Sequence, residues 1–328
     1  MHGRVFFLLC AACAAGVFAA ALLVGNDYVF FAGYVVLQFI VLAQAWNILG
    51  GYTGYVNFGS AAFFALGAYT TVFFHKLYPL PIPLLMLIAG GVSGLAGLAM
   101  GYPALRLRGA FFAIATLALA VVLQTLVVNW SYVGGARGAY VIRPESVWLI
   151  GSYVHYLFLL MLALAVLAIT TARTIERSRL GFGFATIRDD ELAAEASGVP
   201  TLRLKLLATA LSGAFMGMTG APFPYYIGYV QPAAAFGLDY AVNSIAMPMI
   251  GGTTTWIGPL VGAIVVASLQ QWASVTFSSE LGLLVVGLLL VGFVIVAPSG
   301  IVGLVRTFLP AVAPAARVAA KAKPADTP

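Results

Sequence analysis

The chain has 328 residues, of which 62% are hydrophobic, and it carries only 16 basic and 10 acidic side chains. Soluble proteins contain about 25% charged residues, so the 8% found here excludes a soluble globular protein. The formal net charge is +6, but the basic residues form no large cluster on a soluble face, which excludes nucleic acid as a partner.

Charge-poor apolar segments recur along the chain and predict an all-α polytopic membrane protein with about ten transmembrane helices, some of them broken or short. We expect residues 1–308 to form a single transmembrane domain with a cytoplasmic loop at 171–204. The tail at 309–328, rich in alanine and proline, is predicted to be disordered in the cytoplasm near the lipid headgroups. The predicted spans are residues 5–25, 29–49, 58–74, 82–102, 110–130, 147–170, 205–222, 240–252, 256–273 and 281–304.

The first segment, residues 5–25, is longer than the apolar core of a signal peptide, which has about 7–15 residues. We therefore predict that it is retained as a span, with a cleaved signal as the alternative. Cys10 and Cys13 lie about one helical turn apart within it, and no other cysteine or nearby histidine accompanies them. This favours small packing or lipid-facing residues over a metal or redox site, and we predict no metal site.

Two glycine pairs interrupt apolar segments in the two halves of the chain, Gly50-Gly51 and Gly251-Gly252. Their surroundings are similar, ILGGYT in one half and MIGGTT in the other, which favours an internal repeat. Irregular backbone at membrane depth must be packed in protein or line a cavity, and paired glycine breaks indicate a transport pathway. We therefore predict broken helices around Gly50 and Gly251.

The glycine-rich loop that follows Gly50 is the first candidate functional segment. Its glycines let the backbone leave the helix and approach a ligand. Asn57 is a candidate N-cap for a new helix, whose positive N-terminal end would face the pathway. A plain polar turn between two spans is the alternative. The candidate pathway residues are Tyr52, Thr53, Gly54, Tyr55, Asn57, Gly59, Gly251 and Gly252.

The longest polar stretch, residues 171–204, contains the second candidate functional segment. Residues 189–197 predict a short helix with acidic residues in its first turn, ended by Gly198 and Pro200. Such a helix, lying parallel to the membrane, suits the docking of a cytoplasmic partner, and a solvated connector is the alternative. The candidate docking residues are Arg188, Asp189, Asp190, Glu191, Ala194, Glu195 and Gly198.

The distribution of the basic residues predicts the orientation. If the N-terminus starts in the cytoplasm and each segment crosses once, 13 of the 16 basic residues lie inside. Only Lys76, Arg137 and Arg143 then lie outside. Because cytoplasmic loops carry an excess of Lys and Arg, both termini of this multi-pass protein are predicted to be cytoplasmic.

The predicted spans lack the groups that couple transport to an ion gradient, because inside their ends they contain no Asp, Glu, Lys or Arg. The chain also has no GxxxxGK[ST] phosphate loop, so an active transporter of this kind would need a separate ATPase. We predict no catalytic residues and no bound cofactor. The alternatives are a passive channel working alone and an intramembrane protease using Ser93 and His155. For Ser93, small-residue packing is favoured.

Three blocks of the sequence carry a family resemblance: GGYTGYVNFGSAAFFALGAY, SRLGFGFATIRDDELAAEASGVPTLRLKLLATALSGAFMGMTGAPF and MIGGTTTWIGPLVGA. In this order they resemble the inner-membrane permeases of branched-chain amino acid ABC transporters, of the LivM type. The resemblance implies a bacterial inner (plasma) membrane importer with a second permease of the LivH type, two cytoplasmic ATP-binding subunits that use the ATP, and a periplasmic solute-binding protein. It also implies that the loop around 187–198 contacts the ATPase.

The solute that the resemblance implies is a branched-chain or related hydrophobic amino acid. Family members commonly have Gln and Ser where this chain has Tyr55 and Asn57, and an acidic external loop where it has residues 134–138. A missing acid and an added tyrosine change the chemistry of a pathway. A permease for another small solute, such as urea, an amide or a carboxylate, is therefore the alternative.

Overall fold

The computed structural model describes residues 3–78, 80–142, 146–147, 151–276, 284, 287–289, 291–292 and 300–308. The described chain is nearly all-helical, as predicted. The predicted tail at 309–328 lies outside the described residues. The helices are α1 (Gly3–Val24), α2 (Asp27–Thr53), α3 (Ser60–Leu77), α4 (Ile82–Ala104), α5 (Ala110–Val128), α6 (Tyr153–Glu176), α7 (Arg179–Asp189), α8 (Glu191–Ala196), α9 (Thr201–Gly220), α10 (Phe223–Ile227), α11 (Pro232–Ala235), α12 (Leu238–Gly251), α13 (Ile257–Thr276) and α14 (Gly300–Phe308), with short 3-10 turns at Ser131–Val133 and Gly135–Arg137.

In the described part of the chain, four two-residue strands form two antiparallel pairs. β1 (Ala139–Tyr140) pairs with β4 (Tyr229–Val230), and β2 (Ser146–Val147) pairs with β3 (Gly151–Ser152). Beside the first pair, the Tyr229 hydroxyl donates a hydrogen bond to the carbonyl oxygen of Arg137. The pairing of β1 with β4 therefore ties the segment that follows α5 to the segment that precedes α11.

The described residues contain seven helices that are long and apolar enough to cross a membrane. The predicted number of about ten is not confirmed. Residues 58–74 correspond to α3, which carries His75 and Lys76 in its last turn, and residues 240–252 correspond to the 14-residue α12. Most of residues 281–304 lie outside the described residues. The seven helices are Val5–Val24, Asp27–Thr53, Ile82–Ala104, Ala110–Val128, Tyr153–Glu176, Thr201–Ile227 and Ile257–Thr276.

Helix α2 lies at the centre of the helix bundle, packed against α6, α9, α12 and α13. Every α2 residue from 37 to 53 is buried. Helix α1 lies at the periphery, where Leu23 is 89% exposed. An outer surface of exposed apolar side chains around a buried central helix is what a lipid solvent requires, because lipid and protein interior are both apolar.

Glycines bring α9 into close contact with α3 and α4. A Cβ on Gly67 of α3 would lie 2.0 Å from the carbonyl oxygen of Gly217 on α9. The hydroxyl of Ser93 on α4 donates a 3.1 Å hydrogen bond to the carbonyl oxygen of Phe63, so Ser93 is a small packing residue. Its proposed protease partner lies elsewhere, because His155 Nε2 is 3.2 Å from Asp27 Oδ1.

The helix break predicted around Gly50 is wrong. Helix α2 continues to Thr53 and its C-cap is Gly54, which has a φ of +78°. Gly51 instead allows a close approach, because a Cβ there would lie 2.8 Å from the carbonyl oxygen of Thr253. The second break is confirmed, since α12 ends at Gly251 and Gly252 has a φ of +112°.

Candidate functional site

The loop between α2 and α3 begins at Gly54, the C-cap of α2, and ends at Gly59, the N-cap of α3. Gly54 adopts the left-handed conformation that favours glycine. Asn57 is buried, and its Oδ1 accepts a 2.7 Å hydrogen bond from the backbone N–H of Gly59. The indole of Trp46 donates a 2.9 Å bond to the Asn57 carbonyl. The prediction of Asn57 as N-cap is therefore corrected: Gly59 is the N-cap, and Asn57 shapes the turn before it.

The predicted short helix in the polar stretch is α8. Asp190 is its N-cap, and its Oδ1 accepts hydrogen bonds from the N–H groups of Leu192 and Ala193 at 2.9 and 3.1 Å. Asp189 was predicted in the first turn of this helix but ends α7 instead. Gly198, with a φ of +84°, follows α8 where the predicted stop lies. The polar stretch thus folds as two short helices joined at Asp190.

The two segments predicted separately meet in one hydrogen-bonded cluster. Tyr55 of the α2–α3 loop donates a 2.5 Å hydrogen bond to Glu191 Oε2 of α8. Lys205 Nζ of α9 donates to Glu191 Oε1 at 2.6 Å, to the Tyr55 hydroxyl at 3.1 Å and to the Leu105 carbonyl at 3.1 Å. Arg108 Nε lies 3.6 Å from Glu191 Oε2. We call Tyr55, Arg108, Glu191 and Lys205 the junction cluster.

The two cations of the junction cluster, Arg108 and Lys205, stabilise the charge of its one carboxylate, Glu191. Burial raises the pKa of Glu191, but hydrogen bonds from Lys205 and Tyr55, and the charges of Lys205 and Arg108, hold it below its usual value. Burial, together with the bond to Glu191 and its negative charge, raises the pKa of the Tyr55 hydroxyl. At neutral pH the cluster therefore contains an ionised carboxylate and a protonated phenol that donates to it.

The end of α7 contacts the same loop. A Cβ on Gly54 would lie 3.1 Å from Arg188 Cγ, and the Arg188 guanidinium lies 3.4 Å from the exposed Asp189 carboxylate. Among the other predicted docking residues, Ala194 is buried, and Glu195 Oε1 accepts a 2.8 Å bond from the Thr201 hydroxyl. Arg188, Asp189 and Glu195 remain partly exposed, which leaves them accessible to a partner.

The remaining predicted pathway residues lie deeper in the bundle. The Tyr52 hydroxyl donates a 3.3 Å bond to the Ala172 carbonyl of α6, and the Thr53 hydroxyl donates to the Leu49 carbonyl within α2. Gly251 and Gly252 approach α13 so closely that a Cβ on Gly251 would lie 1.8 Å from the carbonyl oxygen of Gly258. Because Gly51 abuts Thr253, the two glycine pairs predicted from the repeat lie side by side.

Two cavities adjoin the loop. Gly54, Tyr55 and Val56 line an open cleft of about 370 Å³ together with the start of α5. Asn57 and Gly59 line an apolar cavity of about 20 Å³ between α3, α4, α5 and α9. The inner cavity holds about one water molecule, so it has no room for a larger solute in this structure.

Lys205 and Arg108 are functional candidates that the sequence analysis did not identify. Both were used only as markers of the cytoplasmic side. Lys205 is 3% exposed and shares one face of α9 with the buried Thr209, Ser212 and Met216. This helical spacing could have indicated from the sequence that Lys205 is buried, because it places Lys205 on this buried face of α9 and the exposed Arg203 on another face.

Comparison with known proteins adds independent findings. The model of a family described as branched-chain amino acid transport system / permease component matches residues 28–294. The chain is 28% identical to the LivM permease proteins of the high-affinity branched-chain amino acid transport systems of Salmonella typhimurium and Escherichia coli, over 82% of this chain and 68% of theirs. It is 27% identical, over 52% of each chain, to the LsrC permease protein of an autoinducer 2 import system from an Enterobacter species. No solved structure matches the chain.

Proposed function

The chain belongs to the family of permease components of branched-chain amino acid transport systems, and from this premise we propose that it is the membrane subunit of an ABC importer. It moves branched-chain or related hydrophobic amino acids from the periplasm to the cytoplasm. The energy comes from two partner ATP-binding subunits, and a second permease of the LivH type and a periplasmic solute-binding protein complete the assembly. Both termini and the α7–α8 segment face the cytoplasm of a bacterial inner membrane.

The observation that carries the proposal is the junction cluster. Through Glu191, a helix suited to docking is bonded directly to the loop that ends the central helix α2 and to the start of α9. A displacement of α8 by an ATPase must therefore either move Tyr55 and Lys205 with it or break their bonds to Glu191. The exposed Arg188, Asp189 and Glu195 supply contacts for the ATPase on the outer side of the same helices.

The pathway in this proposal runs along the α2–α3 loop and the paired glycine segments. ATP-driven movement of α8 opens the closed region behind Asn57 and Gly59, and the bistable element is the loop between Gly54 and Gly59. A permease for another small solute is the second candidate, because Tyr55 and Asn57 depart from the residues common in the family and one relative serves autoinducer 2 import.

The coupling role can be tested in a complex reconstituted with both ATP-binding subunits, the second permease and the binding protein. Tyr55→Phe removes one hydroxyl and its bond to a carboxylate. Since a hydrogen bond to a charged group contributes about 1.5–3 kcal/mol, we expect solute-stimulated ATP hydrolysis to fall about tenfold or more. The double variant Arg188→Gln, Glu191→Gln is expected to lose the stimulation altogether.

Asp239→Asn is the matched control, because Asp239 is an exposed carboxylate in the first turn of α12, away from the junction cluster. All variants are first checked for assembly into a monodisperse complex. Wild-type stimulation in the double variant would show that the docking assignment is wrong. Solute flux in liposomes that contain this chain alone, without a response to ATP, would instead establish a passive channel.

A further inference from the structure

A crevice runs between the peripheral helix α1 and the bundle, outside the junction cluster. It has a volume of about 830 Å³ and is lined by apolar side chains of α1, α2, α6 and α13. Along α1 it extends from Phe6 to Val17, a rise of roughly 16 Å at about 1.5 Å per residue. That length is about half of a hydrocarbon core of about 30 Å, which matches the depth of one leaflet.

The end of the crevice nearest the N-terminus is polar and positively charged. Arg173 of α6 and Arg177, directly after α6, line it with Glu176, whose Oε2 already accepts a 2.7 Å hydrogen bond from the backbone N–H of Trp256. Arg173 is 7% exposed, and its guanidinium lies 3.6 Å from the centre of the Phe6 ring. The end of the crevice thus carries two guanidinium groups against one engaged carboxylate.

Two polar atoms at this end are buried without a hydrogen-bond partner among the described residues. They are Nη1 of Arg173 and Oγ1 of Thr255, and both residues line the crevice. A buried donor without a partner costs about 1–3 kcal/mol, and more when it is charged. A phosphate bound beside the Arg173 guanidinium would supply this donor with an acceptor.

We propose that this crevice binds an anionic phospholipid, with one acyl chain between α1 and the bundle and its phosphate at Arg173 and Arg177. The apolar walls match a hydrocarbon chain, the length matches one leaflet, and the unpaired cationic donor matches a phosphate. Basic pockets between membrane helices recognise anionic headgroups on these grounds. The assignment to the cytoplasmic leaflet rests on the orientation in the proposed function, whereas the binding itself does not.

Trp256 lines the crevice and reports on its occupant. The purified full chain in detergent is titrated with phosphatidylglycerol or phosphatidylcholine brominated near the headgroup end of the acyl chain. The quenching of tryptophan fluorescence is measured, and the quenching seen in Trp256→Phe is subtracted to isolate the signal of Trp256. A basic residue near an anionic lipid contributes about 1 kcal/mol, so with two arginines we expect phosphatidylglycerol to quench at roughly thirtyfold lower lipid fraction than phosphatidylcholine.

Arg173→Gln and Arg177→Gln are each expected to reduce this preference to roughly fivefold, because one arginine remains. Arg177 is exposed, so its variant tests the site without removing a buried group. Arg179→Gln is the matched control, because Arg179 is an exposed arginine of α7 that does not line the crevice. Equal quenching by both lipids in the wild type, or equal losses in the Arg177 and Arg179 variants, would overturn the proposal.

A second arm tests the competing occupant, a helix of the partner permease. Cys13 lines the crevice and is an exposed free thiol, so a photoreactive maleimide can be attached there in the assembled complex. Cross-linking to lipid is expected, and cross-linking to the second permease would overturn the proposal. Neither arm depends on transport or ATP. A failed coupling experiment would therefore leave the lipid-binding result intact, and a failed lipid-binding experiment would leave the coupling result intact.

Discussion

Lys205 carries a positive charge into the protein interior, and its surroundings explain why this is tolerated. An ammonium group has three N–H donors. Here they are used by Glu191, by Tyr55 and by the carbonyl oxygen of Leu105, which follows α4. A buried charge with every donor paired joins three segments of the chain at one atom, and removal of one partner leaves the others uncompensated.

We predict that Lys205→Met lowers the free energy of unfolding by about 3 kcal/mol, because Glu191 keeps its charge and loses its closest cation. Thermal or detergent-induced unfolding of the purified chain measures the change. Arg203→Gln, in the same helix turn but exposed, should change it by about 0.5 kcal/mol or less. Adding Glu191→Gln to Lys205→Met should recover part of the loss. Equal effects of the Lys205 and Arg203 substitutions would contradict the role of the junction cluster.

At the scale of helices, local sequence patterns predict helix ends well, but they do not predict which helices come into close contact. Asp190 and Gly198 bound α8 through capping chemistry that acts within a few residues; the end before Gly198 is confirmed, whereas the helix begins two residues later than predicted. The break expected at Gly50 is wrong because the sequence alone does not distinguish a glycine that permits close helix packing from a glycine that permits a turn. In the structure, Gly51 serves packing. The distinction lies in Thr253, a neighbour some two hundred residues away. The pairing of Tyr55 with Glu191 has the same long-range origin.

The close packing of α3 on α9 gives the second prediction. Gly67→Ala would place a methyl group 2.0 Å from the Gly217 carbonyl oxygen, so the two helices must separate. Overpacking of this kind costs about 1–3 kcal/mol, and we expect a lower unfolding temperature. Gly91→Ala is the control, because nothing lies within 4 Å of its added methyl, and helix propensity favours alanine. Tolerance of the Gly67 substitution with an unchanged unfolding temperature would contradict this packing.

At the scale of the whole molecule, two of the few charged residues, Arg173 and Lys205, are buried. The predicted spans contain no Asp, Glu, Lys or Arg inside their ends, yet Lys205 and Arg173 are both buried at the ends of membrane-length helices. Both lie at polar sites at the ends of these helices, one in the junction cluster and one in the proposed lipid crevice. The basic residues that predict the orientation therefore also supply the two polar sites.

The orientation itself gives the last prediction, which uses single cysteines in a chain with Cys10 and Cys13 replaced by serine. Ser197→Cys lies after α8 and Tyr140→Cys lies in β1, and both positions are exposed. With α7 and α8 in the cytoplasm, a membrane-impermeant maleimide added to intact spheroplasts should label position 140 and reach position 197 only after permeabilisation. Tyr140 is 77% exposed, so labelling there does not require a conformational change. The reverse labelling pattern would show that the topology is inverted, with the junction cluster on the side of the membrane opposite to a cytoplasmic ATPase.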